Sequence, residues 1–240
     1  LDDRRGTESG EEGRSSAGAD GDRDAGGVLF GVKEYLPALM EYVEKYGIDL
    51  KLNQTLVAVD GPAKTATFKT EAGEEVVAFD MLHVVPPQVA PQFVADSPLA
   101  HAESGFVDVD KFTLRHVRYP NVFGLGDAGS SPNAKTAAAV RKQAPIVAVN
   151  ALAVLDGKQP VADYDGYGSC PLTVERGKIV LAEFGYDGEL QPSFPTWLID
   201  GTRPRRLSWL LKSEALPWIY WNGMLNGHEW MVKPEVKTAA

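Results

Sequence analysis

The sequence predicts an α/β chain, on three observations. Short β-type runs alternate with apolar stretches of helical period. One strand-like run ends in Gly126-Asp127, just before the longest of those helices. And 44% of the 240 residues are hydrophobic, enough for one large domain or two small ones.

Residues 1–27, "LDDRRGTESGEEGRSSAGADGDRDAGG", hold one large apolar residue, Leu1, among seven glycines and dense mixed charge. Such a stretch buries too little apolar area to offset the entropy of ordering it, so a disordered tail is expected. Order begins at Val28. Val32, Leu36, Leu39, Met40 and Val43 recur at helical spacing, with Pro37 near the first turn and Gly47 as the stop. "IDLKL", "TLVAVD", "TATFKT" and "EVVAF" then read as strands of a meander punctuated by Gly, Pro and Asp. Met81–Val85 is expected as a short apolar strand ended by Pro86 and Pro87, neither of which offers an N–H. A helix is predicted from Ala134 to Leu155, kinked or split at Pro145. "KIVLAEF" with "GYDGELQPSF" reads as a hairpin, and "RRLSWLLKSEALPWIYWNGMLNG" as one or two amphipathic helices around Pro217.

Charge and cysteine content exclude several functions. A formal net charge of −9 argues against nucleic acid as a partner. The single cysteine, Cys170, rules out an intramolecular disulfide framework and a multi-cysteine zinc site. No uninterrupted apolar run approaches the ~18 residues of a membrane span, and the N-terminus lacks the apolar core of a signal peptide. His83, His101, His116 and His228 are scattered, without metal-ligand spacing. Residues 197–240 are net +2 and hold all five tryptophans, whereas residues 1–27 are net −4.

Three features bear chemistry. In "VFGLGDAG", glycines permit close backbone approach by a ligand, and the following helix N-terminus suits an anion such as pyrophosphate. Asp127 there is either a polyol acceptor or a plain cap. Cys170, in "YDGYGSCPLT", is either a packing thiol or a reactive one, and no neighbour in sequence supplies the positive charge that makes a thiolate. In the C-terminal segment, Leu207, Leu211, Ala215 and Trp218 share a face, with Arg205, Arg206 and Lys212 able to reach lipid headgroups. A core-packing or dimer-forming helix is the other reading.

"TLRHVRYPNVFGLGDAG" resembles the second flavin-binding motif of two-dinucleotide-domain flavoprotein reductases, through Thr113, Val122, Phe123, Gly126 and Asp127. With "MLHVVPP", "NAKTAAAV", "YDGYGSCPL" and "VLAEFGY" following in register, residues 28–230 resemble the C-terminal half of the mitochondrial type of sulfide:quinone oxidoreductase. The resemblance implies a partial two-dinucleotide-binding-domain flavoprotein fold with a C-terminal amphipathic helical membrane and quinone module. Its parts would be the end of an NAD(P)-like domain (28–85), the C-terminal part of an FAD-binding domain (86–155), a quinone- and membrane-associated module (156–233) and a flexible end (234–240).

The resemblance also implies roles. Asp127, with Gly126, would bind the ribityl chain of FAD. Lys135 would lie against the flavin, with Pro86 and Pro87 near it. Cys170 would be one of two redox cysteines: sulfide attacks their bridge, sulfane sulfur passes to an acceptor, and electrons pass through FAD to a quinone. Phe184 and Phe194 are candidate quinone-stacking residues. The implied location is a monotopic membrane surface, the bacterial cytoplasmic side or the mitochondrial inner membrane.

The chain departs from that pattern. It has one GxGxxG spacing, Gly124–Gly129, inside the Gly-Asp motif itself and none ahead of it, it has no second cysteine, and Ala128 stands where the family often has another cysteine. A truncated product, a second chain supplying the missing FAD-binding half, and a non-catalytic remnant at a membrane surface are the open explanations. A type II NADH:quinone reductase shares the Gly-Asp motif without needing Cys170.

Overall fold

The computed structural model describes residues 21–23, 25–228 and 232–236. The chain divides into two compact units: one of Val43–Ala78 with the described residues before Val28, the other of Val28–Tyr42 with those from Phe79 on.

In the first unit, β1 (Gly21–Arg23) pairs in parallel with β2 (Asp49–Lys51). β1 falls within the stretch expected to be a tail; residues 1–20 lie outside the described residues. Three of the four expected meander strands pair: β3 (Thr55–Asp60), β4 (Thr65–Thr70) and β5 (Gly73–Ala78) form an antiparallel sheet in that order, whereas the first, "IDLKL", holds β2 and pairs with β1 instead. Its turns follow from their residues. Asp60 Oδ1 accepts from the Ala63 N–H at 2.9 Å, an Asx-type closure. Gly73 takes φ +122°, which a side chain rarely adopts. Along β4, Ala66 and Phe68 are buried on one face, as period-2 alternation requires.

Helix α1 (Leu36–Tyr46) follows a 3₁₀ turn over Lys33–Tyr35. Gly47 ends it with φ +64°, and Ile48 N–H reaches back to Val43 O at 3.0 Å, a Schellman closure. Its buried face differs from the expected one. Of the expected residues Val32 is buried, Leu36, Leu39 and Val43 are half-buried and Met40 is exposed, while Tyr35, Ala38 and Tyr42 are buried. Tyr35 explains the rotation: its hydroxyl both donates to Glu183 O at 3.1 Å and accepts from Glu183 N–H at 2.9 Å. A tyrosine can bury its ring only where its oxygen finds such partners.

In the second unit, Met81–Val85 is not a strand. Met81 and Val85 are 89% and 83% exposed, and no strand among the described residues pairs with this run. An apolar run becomes a strand only where a neighbour takes its N–H and C=O groups. A short helix α2 (Gln92–Ala95) follows. The run before Gly126 is likewise reduced to isolated bridges, Arg115 with Phe123 and Val107 with Gly129, and leads into a 3₁₀ turn at Gly126–Ala128. Helix α3 (Ala137–Leu155) passes through Pro145 without a break. It is long and apolar enough to cross a membrane by length and composition alone. Here Ala139, Gln143, Ile146, Asn150 and Ala153 are buried, as in a core helix.

The predicted hairpin is reduced to a bridge. β7 (Lys178–Phe184) pairs along its length with β6 (Gly168–Glu175), the strand carrying Cys170, and with "GYDGELQPSF" at its end, where Phe184 bridges Leu190. Gly177, at φ +86°, makes the turn. Pro171 is tolerated because β6 is an edge strand of a two-stranded sheet. The C-terminal helix is one run: α4 (Arg206–Leu210), a π-turn over Leu211–Ala215, and α5 (Leu216–Asn222). Pro217, having no N–H, breaks the regular ladder there, and the wider π-turn absorbs the fault.

Candidate functional site

The Gly124–Lys135 loop is built for tight backbone. Gly126 takes φ +62°, and a β-carbon on it would lie 2.9 Å from Val140 Cγ2. Its N–H donates to Gln143 Oε1 at 2.7 Å. On the outer side, Val107 N–H donates to Ala128 O at 2.8 Å, and Ser130 Oγ accepts from Val109 N–H at 3.1 Å. Held in this way, the turn presents the Asp127 side chain outward, exposed. Thr136 caps α3, its Oγ1 accepting from Ala139 N–H at 3.2 Å.

Lys135 folds back over this turn. Its ammonium donates to Asp127 O at 3.0 Å and Gly129 O at 2.5 Å, and stands 4.1 Å from the Phe106 ring centroid. Partial burial pushes the amine below the ordinary lysine range, and the Asp127 carboxylate pulls it partway back.

Asn150 and Gln143, two turns apart on α3, were not singled out from the sequence. Asn150 Nδ2 donates to Thr113 O at 3.0 Å and Ala162 O at 2.9 Å. Its Oδ1 accepts from the N–H groups of Val161 and Ala162 at 2.8 and 2.9 Å. One amide thus ties the Thr113 segment to the strap leading to β6. Two uncharged amides seven residues apart on an apolar helix were the available signal, since polar groups on a buried face must be bonded. Thr113 is anchored a second time, donating from Oγ1 to Asp110 Oδ1 at 2.8 Å. Burial works against the Asp110 charge. The bonds from Thr113 and Phe112, with the Arg115 charge, outweigh it and hold that carboxyl below its usual range.

Cys170 sits half-buried on β6, opposite Ala182. It packs against a cluster of Val32, Tyr35, Ala38, Val180 and Ala182, together with Phe30, Leu172 and Phe184. Burial pushes its thiol up. Gly168, one strand period earlier on the same face, passes against Ala134: a β-carbon on it would lie 3.3 Å from Ala134 Cβ. Cys170 therefore stands about 7 Å along the strand from the loop that carries Lys135. Phe184, opposite Gly168, is T-shaped to Phe30 at 5.8 Å between ring centroids. The structure thus brings Lys135, Cys170 and Phe184 to one region. Phe194 is half-buried after β7, and Pro86 and Pro87 are exposed in the irregular segment before α2. On the other face of the hairpin, Glu183 accepts from the Tyr167 hydroxyl at 2.6 Å and from Ser193 N–H at 3.2 Å.

At the C-terminus, Lys212 turns inward to β6. It donates to Pro171 O at 3.1 Å and Thr173 Oγ1 at 3.0 Å. It clamps the helix to the Cys170 strand, a role its place among basic residues did not reveal. Trp218 and Trp221 are 59% and 65% exposed on the same helix.

These elements compose a mixed α/β chain with a glycine turn and a cysteine strand meeting at one helix terminus, and solved structures share the arrangement. The X-ray structure of the sulfide:quinone oxidoreductase from the bacterium Aquifex aeolicus superimposes with a TM-score of 0.65 over 92% of this chain and 56% of its own, at 14% identity. A chain in the cryo-EM structure of the Tetrahymena thermophila mitochondrial ATP synthase, an F1Fo composite tetramer, matches with a TM-score of 0.69 and 25% identity, over 83% of this chain and 48% of its own.

In sequence, the chain is 42% identical over 203 residues to the mitochondrial sulfide:quinone oxidoreductase of Dictyostelium discoideum, covering 85% of this chain and 44% of that one. It is 39% identical over 205 residues to the Mus musculus protein of the same name, covering 84% and 45%. The resemblance read from the motifs is thus found across most of the chain. The chain spans less than half the length of these curated relatives. No family model matches it.

Proposed function

We propose that this chain forms part of an FAD-dependent sulfide:quinone oxidoreductase, supplying one wall of its flavin site. The observation that carries the reading is the meeting of the Gly126–Lys135 loop with the Cys170 strand at Gly168 and Ala134, within a sequence 39–42% identical to such enzymes.

The residues present fit a flavin dinucleotide on one side. The outward Asp127 carboxylate, with no hydrogen-bond partner among the described residues, can accept from ribityl hydroxyls. Lys135, beside it, is held so that its cation faces the same turn. FAD, when bound, accepts an electron pair and passes it to a quinone. Cys170 contributes one thiol of a bridge whose second cysteine lies outside these 240 residues. Sulfide attack breaks that S–S bond, leaving sulfane sulfur on one cysteine, for transfer to an acceptor, and a thiolate on the other. Phe184, beside Cys170, and Phe194 are placed as apolar walls for the quinone. Further polypeptide, in the same or a second chain, completes the pocket. The exposed Trp197, Trp218 and Trp221 then seat the C-terminal module on a membrane surface, where a quinone is found.

The test is titration of the purified chain with FAD, read by flavin absorption and fluorescence, followed by sulfide. Binding that Asp127→Ala weakens by about tenfold supports the reading, on the scale of one charge-assisted hydrogen bond. Binding indifferent to Asp127→Ala rejects it, and so does the absence of binding at saturating FAD when the polypeptide that completes the pocket is also present.

A second reading has an observation of its own. A similar chain occurs in a structure of a mitochondrial ATP synthase assembly. In that reading the fold serves as a non-catalytic interaction module, which binds no flavin.

A further inference from the structure

Beside the β6–β7 turn lies a cleft of about 540 Å³, lined by Arg176, Gly177, Lys178, Arg206, Trp209 and Leu210. The backbone builds it. Arg205 and Ile179 exchange N–H···O bonds of 3.0 and 3.3 Å, and Leu181 N–H donates to Gly201 O at 3.0 Å. The segment before α4 is therefore laid along β7, which delivers Arg206 beside the turn that holds Arg176. Ser208, fully buried, fixes which face of α4 meets the sheet.

The charge in this cleft is unbalanced. Lys178 is answered by Glu175 at 2.6 Å. Arg176 and Arg206 have no carboxylate partner among the described residues. Against them stand the indole of Trp209 and the side chain of Leu210. Leu207 and Leu210 are each 45% exposed, on the same helical run that carries the exposed Trp218 and Trp221. A bare inorganic anion uses only the cations. A ligand with an anionic head and an apolar body uses both walls.

We propose that this cleft binds the phosphate of an anionic phospholipid, with Arg176 and Arg206 on the phosphodiester and Trp209 against the glycerol backbone. The proposal rests on the membrane-surface reading of the C-terminal module and gives that module a headgroup preference. It also changes which cations do the work. Arg176, on the hairpin and remote in sequence, joins Arg206, while Lys212 is occupied in holding the helix to β6.

The experiment is vesicle co-sedimentation of the full chain, on phosphatidylcholine alone and on phosphatidylcholine with added phosphatidylglycerol. The expected result is tighter binding to the anionic vesicles. Arg176→Gln and Arg206→Gln should each reduce that affinity roughly fivefold, the scale of one cation near an anionic surface, and leave binding to the neutral vesicles unchanged. Arg176→Lys should keep most of the preference, and circular dichroism of each variant checks folding. Equal binding to both vesicle types, unmoved by either variant, overturns the phosphate site and leaves the membrane reading standing. Binding to neither overturns both. Saturable binding of glycerol 3-phosphate without vesicle binding overturns the phospholipid as the source.

Discussion

Lys135 reaches back across eight residues to donate its ammonium to the main-chain carbonyl of Asp127 at 3.0 Å. The same cation bonds Gly129 O, so one side chain holds both ends of the Gly-Asp turn. Lys135→Met removes both bonds and keeps the aliphatic stem. A loss of about 1.5–3 kcal/mol in stability is expected in urea titration, the range for hydrogen bonds to a charged group. If the flavin reading holds, FAD affinity falls with it. Unchanged stability would show that the turn stands without its brace.

Asn150→Ala should be the more damaging change. It leaves the carbonyls of Thr113 and Ala162 and the amides of Val161 and Ala162 short of a partner in a buried place. A loss of about 3 kcal/mol or more is expected, since each buried unsatisfied group costs about 1–3 kcal/mol. Chemical denaturation measures it, and Asn150→Asp, which keeps only the acceptor, should recover part at most.

Alkaline pH should unfold the protein through its tyrosines. Burial, foremost, pushes the hydroxyls of Tyr164, Tyr167 and Tyr186 well above their ordinary range. In the unfolded chain they ionise at about pH 10. A folded pKa above the unfolded one means stability is complete below about pH 10 and is lost as pH rises beyond it. The melting temperature should therefore fall above that pH, and fall less steeply in Tyr164→Phe, Tyr167→Phe and Tyr186→Phe. A melting temperature that stays flat as pH rises past about 10 would contradict this.

Cys170 should be a slow nucleophile in this chain alone. Its thiol is pushed up by burial in the Val180 and Ala182 cluster. Alkylation by iodoacetamide at neutral pH should be slower than that of an exposed cysteine, and should accelerate only above the ordinary thiol range. Fast alkylation at pH 7 would reveal an activating charge that this arrangement does not provide.

The Gly-Asp turn was legible because it is local. Gly126 and Asp127 lie in one loop, where residue type fixes backbone geometry, while the helix after it starts at Ala137 behind a Thr136 cap rather than at Ala134. The β3–β5 meander was legible for the same reason: each turn joins neighbours in sequence. Expectations failed where a run had to find or choose its partner. Met81–Val85 has strand composition but no strand beside it among the described residues, and "KIVLAEF" takes its long pairing from the Cys170 strand before it, across the Gly177 turn, rather than from the run after it.

The sequence by itself determined the α/β composition, the Gly-Asp turn ahead of a long helix, and the family it resembles. Only the tertiary structure decided that Tyr35 turns α1, that Asn150 ties two distant loops, that Lys212 faces β6, and that Gly168 brings Cys170 toward the Lys135 loop. Periodicity and turn chemistry record what a residue does to its own backbone. Which distant surface satisfies a buried polar atom or covers an apolar face is settled only when the packed elements meet.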